Sequence, residues 1–387
     1  MERKEFLMTS GMLVTAALLS NYSVASAQPA SKKDDVKNRR PDPAKFNEPI
    51  LKAITLGLNA PNPHNTQAWK FKILNDQEAI FFVDEKKILP STDPPARQIH
   101  IGCGCFIALF RIGASSLGYE AAVDYLPEGS YEFAETGKKP VAKLSLTKTN
   151  PKVDPLFHLI YSRQTNRLPY IGELLTHQEF ESVLQLAKPA HSSINLTNDK
   201  DKLKPLLELL YKGMEVECYD WSAYDESRQW FRVKDDIAAK RDGINLRTNG
   251  VSGIKLWFAE MTLSSYSKKS WHNEGSIYSY FKTHYDVVMA SKGIVTFTTE
   301  TNTLIDWLKC GEDYARFQLA AYDKGFFIHP LSQVLQEFSS MKPLYEEFNQ
   351  MMNIHQPAKI QMVVRIGRGN TTEYAYRKDT NDILMNA

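Results

Sequence analysis

Residues Cys103–Tyr119 and Cys310–Phe326 align without a gap. The identities are Cys103/Cys310, Gly104/Gly311, Ala108/Ala315, Phe110/Phe317, Ala114/Ala321 and Gly118/Gly325, and Ile112/Leu319 and Tyr119/Phe326 agree in type. The shared pattern is a helix with small residues along one face, closed by a glycine suited to a helix C-terminus. Small side chains let a second helix approach closely, so each copy reads as the central packing helix of one half of the chain. Two unrelated amphipathic helices could converge on the same pattern, but the flanks agree too. Each copy is followed by a strand-like stretch, Val141-Ala142-Lys143-Leu144-Ser145-Leu146 and Lys359-Ile360-Gln361-Met362-Val363-Val364.

A repeat of this kind predicts two related α+β halves, with the central helices packed on mixed or antiparallel sheets. The first half is expected over 42–150 and the second over 151–387. A chain of 387 residues has room for both. The second half carries extra sequence between about 200 and 300, where Tyr219, Trp221, Tyr224, Trp230 and Phe231 cluster. That insertion suits either a lid over a site or a helical addition to the core. The formal net charge is only +2, which argues against a nucleic-acid partner.

The N-terminus is expected to stand apart from the fold. Arg3-Lys4 is followed by an apolar run from Gly11 to Leu19 and by Ala25-Ser26-Ala27. This is the pattern of an export signal over 1–27, and its apolar run is too short for a membrane span. Arg3-Lys4-Glu5-Phe6-Leu7 is similar to a twin-arginine signal with lysine in the second place, so a periplasmic destination is expected. The alternative is a cytoplasmic or membrane-tethered protein with the signal retained. Residues 28–41 read as a linker.

Three motifs could carry chemistry. In Pro61-Asn62-Pro63-His64-Asn65-Thr66-Gln67-Ala68-Trp69 a helical segment (Ile50, Leu51, Ile54, Leu58) stops at a rigid turn. The chain leaves through the alternating strand Trp69–Leu74. The amides of Asn65 and Gln67 and the flat Trp69 suit a planar hydrogen-bonding ring such as a flavin, although proline and asparagine also recur in ordinary turns for backbone reasons. In Tyr161-Ser162-Arg163-Gln164-Thr165-Asn166-Arg167 two guanidinium groups flank a hydroxyl, which makes a phosphate cradle or a solvated helix end. His329-Pro330-Leu331-Ser332-Gln333 sets a turn whose backbone amides can point inward, or is a plain connecting loop. Asp93 and Pro94 suit the start of the first central helix. The chain lacks a dinucleotide fingerprint, a Walker loop and any metal-binding spacing. Cys103 and Cys105 read as small buried helix residues, and Cys218 and Cys310 could pair in an oxidising compartment.

The 61–69 stretch resembles the proline–small–small–x–Asn–x–Gln–Pro–Trp loop of the nitroreductase family of flavin enzymes. Pro61, Asn65, Gln67 and Trp69 match, Ala68 replaces a proline, and Asn62 and Pro63 replace small residues. Arg163–Arg167 is similar to the family's arginine element. Nitroreductases are usually homodimers with two flavin sites built from both subunits. A tandem duplication resembles the Acg-like branch, with a pseudo-dimer in one chain acting as a monomer. The resemblance implies FMN as cofactor, with Arg163 on its phosphate, Thr165 on the phosphate or ribityl chain, and Arg167 at the pyrimidine edge. It further implies His64, Asn65 and Gln67 at the ring, Ser332 offering a backbone N–H with Gln333 beside it, and Arg377 and Lys378 on the phosphate. No side-chain acid or base is required, because the flavin carries the chemistry. The implied activity is two-electron hydride transfer from a small-molecule donor to a nitro or quinone-like acceptor. The alternative is a flavin-binding storage or sequestration protein without turnover. Only one site per chain is expected, because Lys188-Pro189-Ala190-His191 lacks the amide pattern and Arg39-Arg40-Pro41 is the sole counterpart of the arginine element.

Overall fold

The computed structural model describes residues 38–263 and 268–385. The expected export signal lies outside the described residues, as does most of the expected linker.

In the first half, α1 (Pro49–Gly57) leads to a hairpin of β1 (Trp69–Asn75) and β2 (Glu78–Val83). The central helix α2 (Arg97–Ser116), β3 (Tyr119–Tyr125) and β4 (Ala142–Lys148) follow. The sheet order is β1-β2-β4-β3, antiparallel throughout. Strand β1 alternates: Trp69 and Phe71 are buried, while Lys70 and Lys72 point away from the core. Phe71 stacks on Phe81 at 4.7 Å, and both lie against Phe106 of α2.

The second half opens with α3 (His177–Ala187) and β5 (Ser193–Thr197). A helical excursion follows: α4 (Lys200–Tyr219), α5 (Trp221–Gln229), α6 (Asp235–Lys240), α7 (Gly253–Leu263), α8 (Lys268–Trp271) and α9 (Glu274–Met289). The chain then returns as β6 (Ile294–Thr299), the central helix α10 (Leu304–Asp323), β7 (Phe327–Pro330), α11 (Lys342–Met351) and β8 (Lys359–Gly367). This sheet runs β5-β6-β8-β7, again all antiparallel, and so repeats the first sheet position for position. The insertion therefore sits where the first half has only the tight β1–β2 turn.

Helices α2 and α10 cross at the repeated glycines. A Cβ on Gly104 would lie 1.8 Å from the Leu308 carbonyl oxygen, and one on Gly311 would lie 2.1 Å from that of Ile101. Only glycine permits this approach. Gly118 and Gly325, which close the two copies, both adopt the left-handed conformation (φ +80° and +78°) that ends a helix. One continuous core runs through both halves, from Phe71, Phe81 and Phe106 to Phe297 and Phe317. Among the described residues α2 is the helix long and apolar enough to cross a membrane, and it is buried in this core.

Asp93 caps α2 as expected, its carboxylate accepting from the N–H groups of Gln98 and Ile99 at 3.1 and 3.0 Å. The four cysteines are buried and free. Cys310 lies in the central core and Cys218 in a separate cluster with Met214, Tyr224, Ile277 and Phe281, so the pairing considered for these two is not formed. Within the insertion, α4 packs its leucines with α11 and β8 in a second core. The insertion is thus partly a helical addition to the core, and its 240–250 segment turns elsewhere.

Candidate functional site

The loop after α1 is held in an unusual conformation. His64, Asn65 and Gln67 all have left-handed backbone (φ 47°, 54° and 50°), which side chains other than glycine rarely adopt. Neighbouring bonds impose it. Asn62 Oδ1 accepts from the Gln67 N–H at 2.9 Å. The Gln67 side chain donates to the Arg241 carbonyl (2.9 Å) and accepts from the Lys378 N–H (2.8 Å). Asn65 donates to the carbonyls of Gly243 and Tyr376 at 3.2 Å and accepts from Arg377 at 2.5 Å. The Gly243 N–H donates back to the Asn65 carbonyl. Both amides are therefore engaged with the insertion and the C-terminal tail. Trp69 lies in the core, its ring 5.4 Å from Phe106, and supplies no exposed flat surface.

Guanidinium groups gather beside this loop. Arg163 is buried; its Nε donates to Gln318 Oε1 (2.7 Å) and its Nη1 to the Asn59 carbonyl (2.8 Å). Arg377 is also buried, and donates to the Ala60 carbonyl (3.1 Å) as well as to Asn65. Asn59 and Ala60 follow α1, so both arginines are drawn to the negative end of that helix. Arg40 adds a third buried guanidinium, 5.7 Å from the Tyr374 ring centre. Burial pushes the Arg163 pKa down to about 10. Burial pushes Arg377 well below its ordinary value too, and the charges of Arg40 and Arg163 add to the effect.

These groups line a cavity of about 530 Å³, counted out to its open mouth. Asn65, Arg163, Thr165, Arg167, Arg377 and Arg40 form its polar wall; Gly243, Ile244 and Thr248 of the insertion and Glu373 of the tail close the other side. Glu373 is its one carboxylate and pairs with Arg39 at 2.8 Å.

Five of the ten expected site residues thus meet in one cavity, and five do not. His64 does not line it, although its neighbours Asn62 and Asn65 do; its Nε2 lies 3.0 Å from Ser227 Oγ, and burial, aided by Arg167, holds its pKa down to about 4, in the neutral form. Gln67 is turned to the insertion. Lys378 reaches Asp242 at 3.5 Å. Ser332 and Gln333 form a short 3-10 turn beneath α4, where Gly213 leaves room for Val334, and neither lines the cavity. Arg40, expected to mark the defunct counterpart, instead shares the cavity with Arg163. Gln318 was not anticipated; it bridges Arg163 and Thr165 from α10. Its sequence signal is a departure within the repeat, where it faces Arg111.

No family model matches the chain. A Mycobacterium tuberculosis (strain CDC 1551 / Oshkosh) protein named "Putative NAD(P)H nitroreductase acg" is 32% identical over 193 residues, 49% of this chain and 56% of the relative. A second protein of that strain, "Putative NAD(P)H nitroreductase MT3217", is 31% identical over 81 residues, 21% of this chain and 23% of its own. Over these stretches the chain is similar to proteins named as Acg-type nitroreductases. The match spans about half the length of the first of these relatives. Among solved structures, the FMN-dependent nitroreductase NfnB from Mycobacterium smegmatis in complex with NADPH overlaps 59% of this chain and 96% of its own, at 13% identity and a TM-score of 0.35. A nitroreductase with bound FMN from Desulfitobacterium hafniense DCB-2 overlaps 60% and 98%, at 12% identity and a TM-score of 0.31.

In the second half, the loop equivalent to 61–67 is 188–192. Its Ala190, His191 and Ser192 N–H groups donate to the buried Asp313 carboxylate at 2.9, 2.9 and 2.6 Å. The Asp313 side chain thus takes up the backbone amides of this loop.

Proposed function

We propose that the chain binds one FMN in the cavity and acts as a nitroreductase-type oxidoreductase. One observation carries this reading: three buried guanidinium groups, Arg40, Arg163 and Arg377, crowd one cavity with Arg167 beside them. Like charges out of water depress one another's basicity, and an anion among them removes that penalty. A dianionic phosphate fits this donor set, because each guanidinium offers charge-assisted bonds of roughly 1.5–3 kcal/mol. Arg163, Arg377 and Arg40 would hold the phosphate, Thr165 the phosphate or ribityl chain, and Arg167 the pyrimidine edge, where a positive charge favours the reduced ring. Bound flavin would supply the two-electron chemistry, with nitro compounds or quinones as the acceptor class. One chain supplies both walls, so a monomer would suffice as a pseudo-dimer. Purified protein should be yellow with an FMN spectrum; a colourless protein that fails to take up added FMN sinks the reading.

A second reading, storage without turnover, is favoured by a specific contact. The 241–244 segment is tied to the amide loop through Asn65 and Gln67, and Arg241 Nε donates to the Arg377 carbonyl at 2.8 Å. A site closed in this way would hold flavin away from acceptors. Anaerobic reduction followed by addition of nitro or quinone acceptors separates the two: rapid reoxidation supports the enzyme, and inert flavin supports storage. Export is also proposed, on residues 1–27 alone, and N-terminal sequencing of the mature protein near Gln28 checks it.

A further inference from the structure

Three side chains connect the strained loop that borders the cavity to the interior of the insertion. His64 Nε2 lies 3.0 Å from Ser227 Oγ, and Ser227 Oγ lies 3.2 Å from Glu217 Oε1. Ser227 is on α5 and Glu217 on α4, so the line begins in the insertion and ends on the strained loop. His64 Nδ1 has no hydrogen-bond partner among the described residues. Its neighbours Asn62 and Asn65 line the cavity, as does Arg167, which is near enough to lower its basicity. A serine hydroxyl has one proton to donate, and that single proton couples the two ends. When Glu217 is protonated, it donates to Ser227, Ser227 donates to His64 Nε2, and the neutral imidazole carries its proton on Nδ1. When Glu217 is ionised, Ser227 donates to the carboxylate and His64 Nε2–H donates to Ser227.

We propose that Glu217, Ser227 and His64 form a proton line in which the state of Glu217 sets the tautomer of His64, with His64 the proton donor to an acceptor at the cavity. The second clause rests on the flavin reading above. Glu217 gives its proton to Ser227, Ser227 gives its own to His64 Nε2, and His64 releases the proton from Nδ1. Bound flavin would supply the hydride, and this proton would complete the reduction of a quinone to the hydroquinone. Water then reprotonates Glu217, and exchange with water returns the His64 proton from Nε2 to Nδ1. The groups facing Glu217 favour a shared proton near neutrality. Burial, with Glu226 and Asp220 beside it, pushes its carboxyl up to about 7 against the hydrogen bonds of Gln336 and Ser227. Glu226 is itself held by the N–H groups of Ser91 and Thr92.

The test reads the histidine directly. In the full chain labelled with ¹⁵N-histidine, His64 should pass from the Nδ1–H to the Nε2–H tautomer as pH rises through about 7. Glu217→Gln, whose amide does not titrate, should hold a single His64 tautomer at every pH. Ser227→Ala should abolish the pH-linked switch. In flavin-loaded protein, Ser227→Ala should slow reoxidation by quinone on the order of 10²-fold at saturating acceptor, as loss of a general acid does. A His64 tautomer that is constant with pH, or that still switches in Ser227→Ala, overturns the proton line whatever the flavin content. A switch intact in protein that takes up no FMN supports the line and overturns the flavin reading instead. Unchanged reoxidation in a yellow Ser227→Ala protein overturns the role of His64 as donor.

Discussion

A guanidinium out of water costs several kcal/mol unless its donors and charge are answered. Arg163 and Arg377 answer theirs in part with the carbonyls that follow α1, and the remaining charge faces the cavity. Arg163→Ala should therefore weaken FMN retention by roughly 2 kcal/mol or more, with Arg163→Lys recovering part of it; flavin-to-protein ratio after dialysis measures both. A second prediction concerns His100, which is buried with its ring bonded to the Ala96 carbonyl (2.6 Å) and Tyr131 Oη (2.9 Å). Burial holds it down to about 4, so the folded state keeps it neutral while the unfolded chain takes a proton near 6.5. Stability is lost as pH falls through that window, up to roughly 3 kcal/mol from this residue at pH 4. His100→Gln should flatten the decline in urea-unfolding free energy between pH 7 and pH 4.5. At this scale the arginines were legible through the resemblance of 163–167 to a family element, since the pattern alone suited a solvated helix end as well. The amides were legible as a constrained turn, and their hydrogen-bond partners were not. Asn65 and Gln67 are satisfied by backbone atoms at 241–243 and 376–378, which no local pattern connects to them.

At the scale of elements, the crossing of α2 and α10 holds the two halves together. Gly104→Ala would drive a methyl group into the Leu308 carbonyl, and neither backbone can yield without moving its whole helix. Overpacking of this kind costs about 1–3 kcal/mol or more, so thermal unfolding should fall by several degrees and flavin retention should fall with it. An unchanged melting temperature would mean the helices are spaced differently. The repeated helices could be read from sequence because close approach leaves a mark, small residues at fixed spacing. Strand β8 could be read because Ile360, Met362, Val363, Val364 and Ile366 fall in one short stretch, and it is buried along its length. The place of the insertion could not. It interrupts a hairpin that the first half closes with a tight turn, and β5 (Ser193-Ile194-Asn195-Leu196-Thr197) is too short and polar to announce itself. The same helix α4 explains why Ser332 and Gln333 lie away from the cavity: it packs on their turn, and sequence alone gives no sign of that contact.

The whole molecule divides labour between its halves and then recombines them. The first half supplies the amide loop, the second supplies Arg163, Thr165 and Arg167, and the C-terminal tail crosses back to close the wall. Along that tail Thr380 Oγ1 meets Thr55 Oγ1 at 2.7 Å, and the Met385 N–H donates to the Phe71 carbonyl at 2.9 Å beyond the last strand of the second sheet. The equivalent loop of the second half is sealed by Asp313. On the proposed reading, one of the two equivalent positions keeps the charge to hold an anion. The most direct measurement is the stoichiometry of flavin binding to the intact chain: titrate cofactor-free protein with FMN, follow quenching of flavin fluorescence, and determine the mass of the loaded species in solution. Saturation at one FMN per chain in a monomer is the predicted result. Saturation at two, at one per pair of chains, or no binding at all would contradict it.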